Sequence, residues 1–235
     1  MGMRKESSID RLNRIFSVLI WGALWGIFEA TAGYLLHTVS FGYSWLIWYP
    51  AACFFMANVY RNTRRISSIC YVGLLCAAVK LFNLLLPGRI DRVLNPAVSI
   101  LAEALAMAAV VFAVNRFAVR ENTFVKALWA LATNTGWRVL YILYLLFFVP
   151  AWIRDISVIG SRDLFISFFI MQNLITSAII YIGYQLKTFI LKPPDLLEHR
   201  YSIGLDLSSR SAAVLKTGIA ALLLCTNIAL QMVLK

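Results

Sequence analysis

Long apolar runs separated by short polar stretches dominate this chain. Runs of about 20 apolar residues, the length that crosses a bilayer as a helix, lie at residues 15–37, 43–60, 67–86, 94–115, 124–149, 164–191 and 212–234. They are too long for barrel strands and lack the apolar and polar alternation of such strands. Because a helix satisfies its own backbone polar groups in lipid, the pattern predicts an all-α fold. The expected architecture is a polytopic transmembrane helical bundle with six core helices and a seventh, C-terminal helix.

Composition and spacing extend this prediction to the organisation of the chain. Hydrophobic residues make up 61% and charged residues 14%, which excludes an ordinary soluble domain. We expect a cytoplasmic N-terminal tail (1–14), a six-helix membrane bundle (15–191), a cytoplasmic loop (192–211) and an additional transmembrane helix (212–235).

The basic residues predict an orientation. They concentrate in the N-terminal tail and in every second loop after it, namely at Arg4, Lys5, Arg11, Arg14, Arg61, Arg64, Arg65, Arg116, Arg120, Lys187, Lys192, Arg200 and Arg210. By the positive-inside rule, the N-terminus is expected in the cytoplasm, and the protein in the cell (inner) membrane as a multi-pass protein. The net charge of +11 is then mostly a topology signal, with membrane lipids rather than nucleic acid as its partner.

Four ionisable residues lie inside the apolar runs: Glu29, Lys80, Glu103 and Arg138. Charges in hydrocarbon are costly and usually face a cavity or a partner. A helix rises about 1.5 Å per residue, which brings these residues to one level in the outer half of the bilayer. With polar neighbours and residues of the outer helix ends, they form the predicted substrate-binding set: Glu29, His37, Lys80, Asn83, Arg92, Asn95, Glu103, Asn134, Arg138, Trp152, Gln172 and Asn173. The alternatives are an internal charge network that holds the bundle together and, for the tryptophans, an interfacial aromatic belt.

Small residues recur every four positions on the first helix, at Gly22, Gly26 and Ala30. Such a stripe lets another helix approach closely, either within the bundle or from a partner subunit. The fourth helix is predicted to open at Asn95-Pro96, because Asn caps free amides and Pro is tolerated in a first turn.

Two of these segments resemble a known family. The first-helix sequence WGALWGIFEA (residues 21–30) and the fourth-helix sequence NPAVSILAE (residues 95–103) are similar to those of substrate-binding S components of energy-coupling factor transporters. The resemblance implies a six-helix bundle that captures a vitamin-like micronutrient from the outer side. It also implies that the stripe of Gly22, Gly26 and Ala30 docks on a transmembrane coupling subunit driven by separate ATPase subunits. The seventh apolar run and the glycine-based stripe depart from the family pattern.

Catalytic motifs are absent from the sequence. There is no HExxH, GxSxG, P-loop or dinucleotide fingerprint, so we expect neither an enzyme nor a cofactor or metal, and any ATP hydrolysis belongs to another chain. Cys53, Cys70, Cys76 and Cys225 lack CxxC spacing. An intramembrane enzyme using Glu29 and Glu103 as acid and base and a structural or assembly membrane subunit are the alternative functions.

Overall fold

The predicted all-α architecture is confirmed for the part of the chain that the structure describes. The computed structural model describes residues 8–38, 42–87, 89–117, 122–190 and 210–233, and all regular structure in these ranges is helical. The helices are α1 (Ser8–Thr38), α2 (Trp45–Thr63), α3 (Ile66–Leu81), α4 (Asp91–Phe117), α5 (Thr123–Phe148), α6 (Ala151–Arg154), α7 (Arg162–Ile166), α8 (Gln172–Ile190) and α9 (Arg210–Val233). A 3₁₀ turn (Phe82–Leu85) follows α3, and a π-helical turn (Ser167–Met171) joins α7 to α8.

Within the described ranges, six helical segments are long and apolar enough to cross a membrane, which supports a multi-pass membrane protein. They are Arg11–Ala32, Ile66–Leu85, Asp91–Phe117, Thr123–Phe148, Arg162–Leu186 and Val214–Val233. The last of them belongs to α9, the predicted C-terminal helix. The predicted second span, α2, is not among the six, mainly because Asn58, Arg61 and Asn62 near its C-terminal end make it less apolar. Its 19 residues nevertheless rise about 28 Å, close to the hydrocarbon thickness.

Six long helices close into a ring, in the order α1, α2, α8, α5, α4, α3 and back to α1. Small residues on α4 allow its two neighbours to come close. A Cβ added to Gly73 on α3 would clash with Ala104 Cβ of α4. A Cβ added to Gly136 on α5 would lie 3.2 Å from Ala106 Cβ of α4. Inside the ring, Trp25, Met56 and other apolar side chains are fully buried. Large apolar side chains on the outer surface, such as Phe112 and Leu222, are exposed, as expected of surfaces that face lipid.

The predicted start of α4 at Asn95-Pro96 is wrong by about one turn. The helix begins at Asp91, because the amides of Val93 and Leu94 already donate to the Ile90 carbonyl, at 3.0 and 2.9 Å. Asn95 and Pro96 therefore lie within the helix. Asn95 is not a cap, and its Oδ1 accepts a hydrogen bond from Tyr144 Oη at 3.1 Å.

The small stripe of α1 is covered by the chain's own helices. An added Cβ on Gly26 would lie 2.9 Å from Asn227 Cγ of α9, and one on Gly22 would lie 2.7 Å from Leu75 of α3. Ala30 is also buried. Because the stripe has no open surface in this chain, the predicted docking of a partner subunit on Gly22, Gly26 and Ala30 is not available in this conformation. The internal-packing alternative describes the structure.

Polar side chains fasten α9 to the outside of the ring. Asn227 Nδ2 donates to the Ala23 carbonyl at 3.3 Å, and Gln231 Nε2 donates to the Gly26 carbonyl at 3.5 Å. Asn83 Nδ2, in the 3₁₀ turn, donates to Gln231 Oε1 at 2.8 Å. Interhelical hydrogen bonds of this kind are how polar residues join helices in lipid.

Candidate functional site

A buried polar network joins α5 to α8. Asn134 is fully buried, and its Nδ2 donates to the Asn173 carbonyl at 2.8 Å and to Ser177 Oγ at 3.0 Å. Asn173 Nδ2 donates in return to Thr135 Oγ1 at 2.8 Å. Two of the predicted site residues, Asn134 and Asn173, thus meet at one level across neighbouring helices.

Arg138 extends this network toward the predicted outer side. Its side chain is 1% exposed, its Nη1 donates to the Phe168 carbonyl at 2.6 Å, and its Nε lies 3.4 Å from Asn134 Oδ1. The guanidinium carbon lies 4.8 Å from the ring centroid of Trp137 and 4.4 Å from that of Phe168. Aromatic faces attract a cation. Carbonyl, amide and π groups therefore replace the carboxylate that usually accompanies a buried arginine.

The carbonyl that accepts the hydrogen bond from Arg138 belongs to the π-helical turn. Phe168 is the second residue of Ser167–Met171, and the backbone amide of Gln172 donates to the carbonyl of Ser167, five residues earlier. The Gln172 side chain lies 3.5 Å from Ser167 Oγ. Single π turns inside helices often occur at functional sites, and this one faces the arginine.

The other three intramembrane charges lie on α1, α3 and α4. Glu29 interacts electrostatically with Lys80, and Glu103 interacts with both Glu29 and Arg138. Within the described part of the chain, none of the four has an oppositely charged partner within 4.0 Å. Trp25 Nε1 donates to Glu29 and Ser99 Oγ donates to Glu103, each at 3.2 Å. The four charges are therefore neighbours that do not form tight pairs.

A cleft of about 300 Å³ lies beside the start of α4. Its polar lining comes from Asp91, Asn95, Tyr141 and Ser157, and its apolar lining from Ile153, Ile156, Val158 and Leu164. The segment that follows α5 thus forms one wall, and α4 with α5 forms the other. Of the predicted site residues, Asn95 lines this cleft, whereas Glu29, Lys80, Glu103 and Arg138 do not.

Tyr141 connects the cleft to the buried arginine. Its ring centroid lies 6.2 Å from that of Trp137 and 6.3 Å from that of Phe168, the two rings that flank Arg138. Tyr144, one turn further along α5, lies 6.0 Å from Tyr141 and hydrogen-bonds Asn95. Aromatic side chains thus form a continuous path from the cleft lining to the polar network.

The wall after α5 is a tightly folded segment. Its helix α6 follows Pro150, and an added Cβ on Gly160 would lie 2.6 Å from the carbonyl carbon of Asp155. Ser157 Oγ donates to the Arg154 carbonyl at 2.7 Å. Close backbone packing fixes the shape of this wall, and a larger residue than glycine at position 160 would disrupt it.

At the cleft margin, Asp91 is held by an arginine. Arg89 Nε and Nη2 donate to the two carboxylate oxygens of Asp91 at 3.0 and 2.7 Å. Hydrogen bonding to Asp91 raises the pKa of Arg89 above its ordinary value. The negative charge of Asp91 in the cleft lining is therefore largely balanced by Arg89.

The remaining predicted site residues lie elsewhere. Asn83 is buried against α9 through Gln231. Arg92 is exposed, and Trp152 is 64% exposed in the segment after α5, in keeping with the aromatic-belt alternative. The side chain of His37 lies outside those that the structure describes. In the described ranges no three His, Cys, Asp or Glu side chains are grouped to hold a metal ion.

Sequence reasoning missed Tyr141 and Ser157 in the cleft, and Phe168 beside Arg138. One signal was present, because Trp137, Tyr141, Tyr144 and Phe148 recur at helical spacing on α5. Such a stripe marks one face of a helix.

No protein-family model, curated protein or solved structure matches the chain.

Proposed function

We propose that this membrane protein is the solute-binding subunit of a micronutrient (vitamin-like) importer, and that it captures its solute from the outer side. The observation that carries the proposal is the cleft of about 300 Å³ at one end of the bundle. Ligand sites are typically concave and mostly apolar with a few polar groups, and this volume is at the small end of their range. With the N-terminus in the cytoplasm, as the basic residues predict, the cleft lies at the outer end of the bundle.

The lining suggests the chemistry of the solute. Asp91 is already bound by Arg89, and Asn95 Oδ1 is occupied by Tyr144, which leaves the Asn95 amide hydrogens available to donate. The opposite wall, with Ile153, Ile156 and Val158, is apolar. We therefore propose a small solute without a strong net charge, with an apolar body and a hydrogen-bond acceptor such as a carbonyl oxygen.

Transport by such a subunit requires other chains. The sequence contains no P-loop, so energy from ATP would come from separate ATPase subunits acting through a transmembrane coupling subunit. Because α9 covers Gly26 of the α1 stripe, such a coupling subunit would dock on another face or displace α9. The alternatives, an intramembrane enzyme at Glu29 and Glu103 and a structural or assembly subunit, make different predictions. The enzyme would turn over a substrate without an ATPase partner, and the assembly subunit would retain no solute.

Mass spectrometry of retained small molecules tests the binding role. The full chain is purified in mild detergent and denatured, and the released molecules are identified. We expect one compound at near-stoichiometric amount, and its loss by at least tenfold in Asn95→Leu and Tyr141→Ala. Tyr71→Ala is the matched control, because Tyr71 is an exposed aromatic on the outside of α3. Equal retention by all four proteins, or no retained compound together with no binding from a micronutrient mixture, would refute the proposal.

A further inference from the structure

Glu103 is a carboxylate with few partners deep in the membrane. It lies roughly 18 Å along α4 from Asp91 at 1.5 Å per residue, and its side chain is 6% exposed. The one hydrogen bond that it receives from described residues comes from Ser99 Oγ, at 3.2 Å. An ionised carboxylate has about four acceptor sites and is costly in a medium without water. A single hydroxyl donor leaves most of that cost uncompensated.

The nearby charges do not provide a counter-ion for Glu103. Arg138 is the cation that interacts electrostatically with Glu103, but its guanidinium donates to the Phe168 carbonyl and is flanked by two aromatic rings. No cation lies within 4.0 Å of Glu103 in the described part of the chain. The other charged neighbour, Glu29, is itself an acid, and it has Lys80 as its own cationic neighbour. A second negative charge beside Glu29 is unfavourable.

A buried hydroxyl near Glu103 also lacks a hydrogen bond. Tyr49 Oη on α2 is 2% exposed and interacts electrostatically with Glu103. The Cys53 thiol lies beside this hydroxyl, yet Tyr49 Oη makes no well-formed hydrogen bond to any described residue. A tyrosine hydroxyl can both donate and accept, so Tyr49 Oη could donate to Glu103 in either state, and a protonated Glu103 could in addition donate to Tyr49 Oη.

The titratable or charged groups that surround Glu103 come from four helices. They are Glu29 on α1, Tyr49 and Cys53 on α2, Cys76 on α3 and Arg138 on α5. Among these groups of the described helices, Arg138 alone carries a positive charge, and Glu29 is a second acid, so the surroundings offer an ionised Glu103 little compensation.

We propose that Glu103 is a proton-binding site within the membrane: it takes up one proton and is a neutral carboxylic acid at neutral pH, while Glu29 remains ionised beside Lys80. The proton comes from a hydronium ion of the solvent: one O–H bond of that ion breaks and leaves water, and one O–H bond forms on a Glu103 carboxylate oxygen. The site is distinct from the cleft and does not depend on the proposed binding of a solute. It gives the bundle one group whose charge changes when a proton enters or leaves.

Infrared spectroscopy of the full chain in lipid nanodiscs tests this assignment directly. A protonated carboxyl group has a carbonyl stretching band that ionised carboxylates lack. We expect this band at neutral pH in the wild type and in Asp163→Asn, which removes an exposed acid of α7 as a matched control. We expect Glu103→Gln, a neutral isostere, to lose the band. Absence of the band in the wild type, or its persistence in Glu103→Gln, overturns the proposal.

Two further variants keep the test independent of the folding of Glu103→Gln. Ser99→Ala removes the donor to Glu103 and no charge, so the band is expected to move to higher frequency. Glu29→Gln removes the neighbouring negative charge, so the band should disappear on raising the pH at a lower midpoint than in the wild type. The proposal is overturned if the band keeps its frequency in Ser99→Ala and its pH midpoint is also unchanged in Glu29→Gln, because the proton then lies on another group. A higher frequency in Ser99→Ala or a lower midpoint in Glu29→Gln supports the proposal, and a shift of both in the opposite direction overturns it.

Discussion

Gly26→Ala is the sharpest perturbation of the contact between α9 and the ring. The added methyl group would lie 2.9 Å from Asn227 Cγ and 3.0 Å from its Oδ1, and closer still to its Nδ2. Asn227 is fully buried, so its side chain must shift and release the Ala23 carbonyl.

Three contributions determine how much Gly26→Ala changes the free energy of unfolding. Overpacking of a buried site costs typically about 1–3 kcal/mol, and an intramembrane hydrogen bond contributes about 0.6 kcal/mol. Replacing a helical glycine by alanine stabilises the helix by up to about 1 kcal/mol, which offsets part of this loss. We expect a net loss of about 1.6 kcal/mol in the free energy of unfolding.

The assay is reversible unfolding in mixed detergent micelles, followed by circular dichroism. Gly218→Ala is the matched control on α9 itself, because an added Cβ there meets nothing within 4 Å, and we expect it to be as stable as the wild type or slightly more stable. The double variant Gly26→Ala/Asn227→Ala should be less destabilised than the sum of its single changes, since the clashing side chain is gone. Equal stability of Gly26→Ala and Gly218→Ala would show that α9 does not pack on this stripe.

Three further outcomes follow from the contacts. Arg138→Met should lower the free energy of unfolding by about 1–3 kcal/mol, because it removes the charged donor of the buried Phe168 carbonyl; an unfolding curve equal to the wild type would contradict this. Asn83→Leu should weaken the attachment of α9 by about 0.6 kcal/mol through the lost bond to Gln231, seen as faster proteolysis between α8 and α9, whereas an unchanged rate would argue against that bond. Tyr141→Phe should retain the ring packing and lower solute retention less than Tyr141→Ala does, and the reverse order would contradict an aromatic wall.

Height in the bundle could be predicted from the sequence, because the rise per residue of a helix is fixed. The rise predicts Asn173 near the level of Arg138 and Asn134 one turn below it, and the structure brings the three into one network. Height does not reveal which helices are neighbours or how each is rotated. Asn83, expected at the site, therefore lies against α9, while Glu29 and Lys80 interact with each other away from the cleft.

The cleft was beyond sequence reasoning for a related reason. Its lining combines the first turns of α4, the middle of α5 and the folded segment after α5, which meet only once the ring closes. The start of α4 was also misplaced, because the preference of Asn and Pro for helix openings is local. Hydrogen bonds to the Ile90 carbonyl begin the helix earlier, and Asn95 then faces Tyr144 and the cleft instead of capping.

Labelling of Ser157→Cys in intact cells tests the central claim, an outward-opening cleft that a solute occupies. Ser157 lines the cleft, and the wild type, with its four cysteines, sets the background. We expect a membrane-impermeant thiol reagent to label Ser157→Cys from outside, and the compound retained by the purified protein to slow this labelling at least tenfold. Labelling that requires permeabilised cells, or that proceeds at the same rate with and without the compound, would show that the cleft is not an outward-facing solute site.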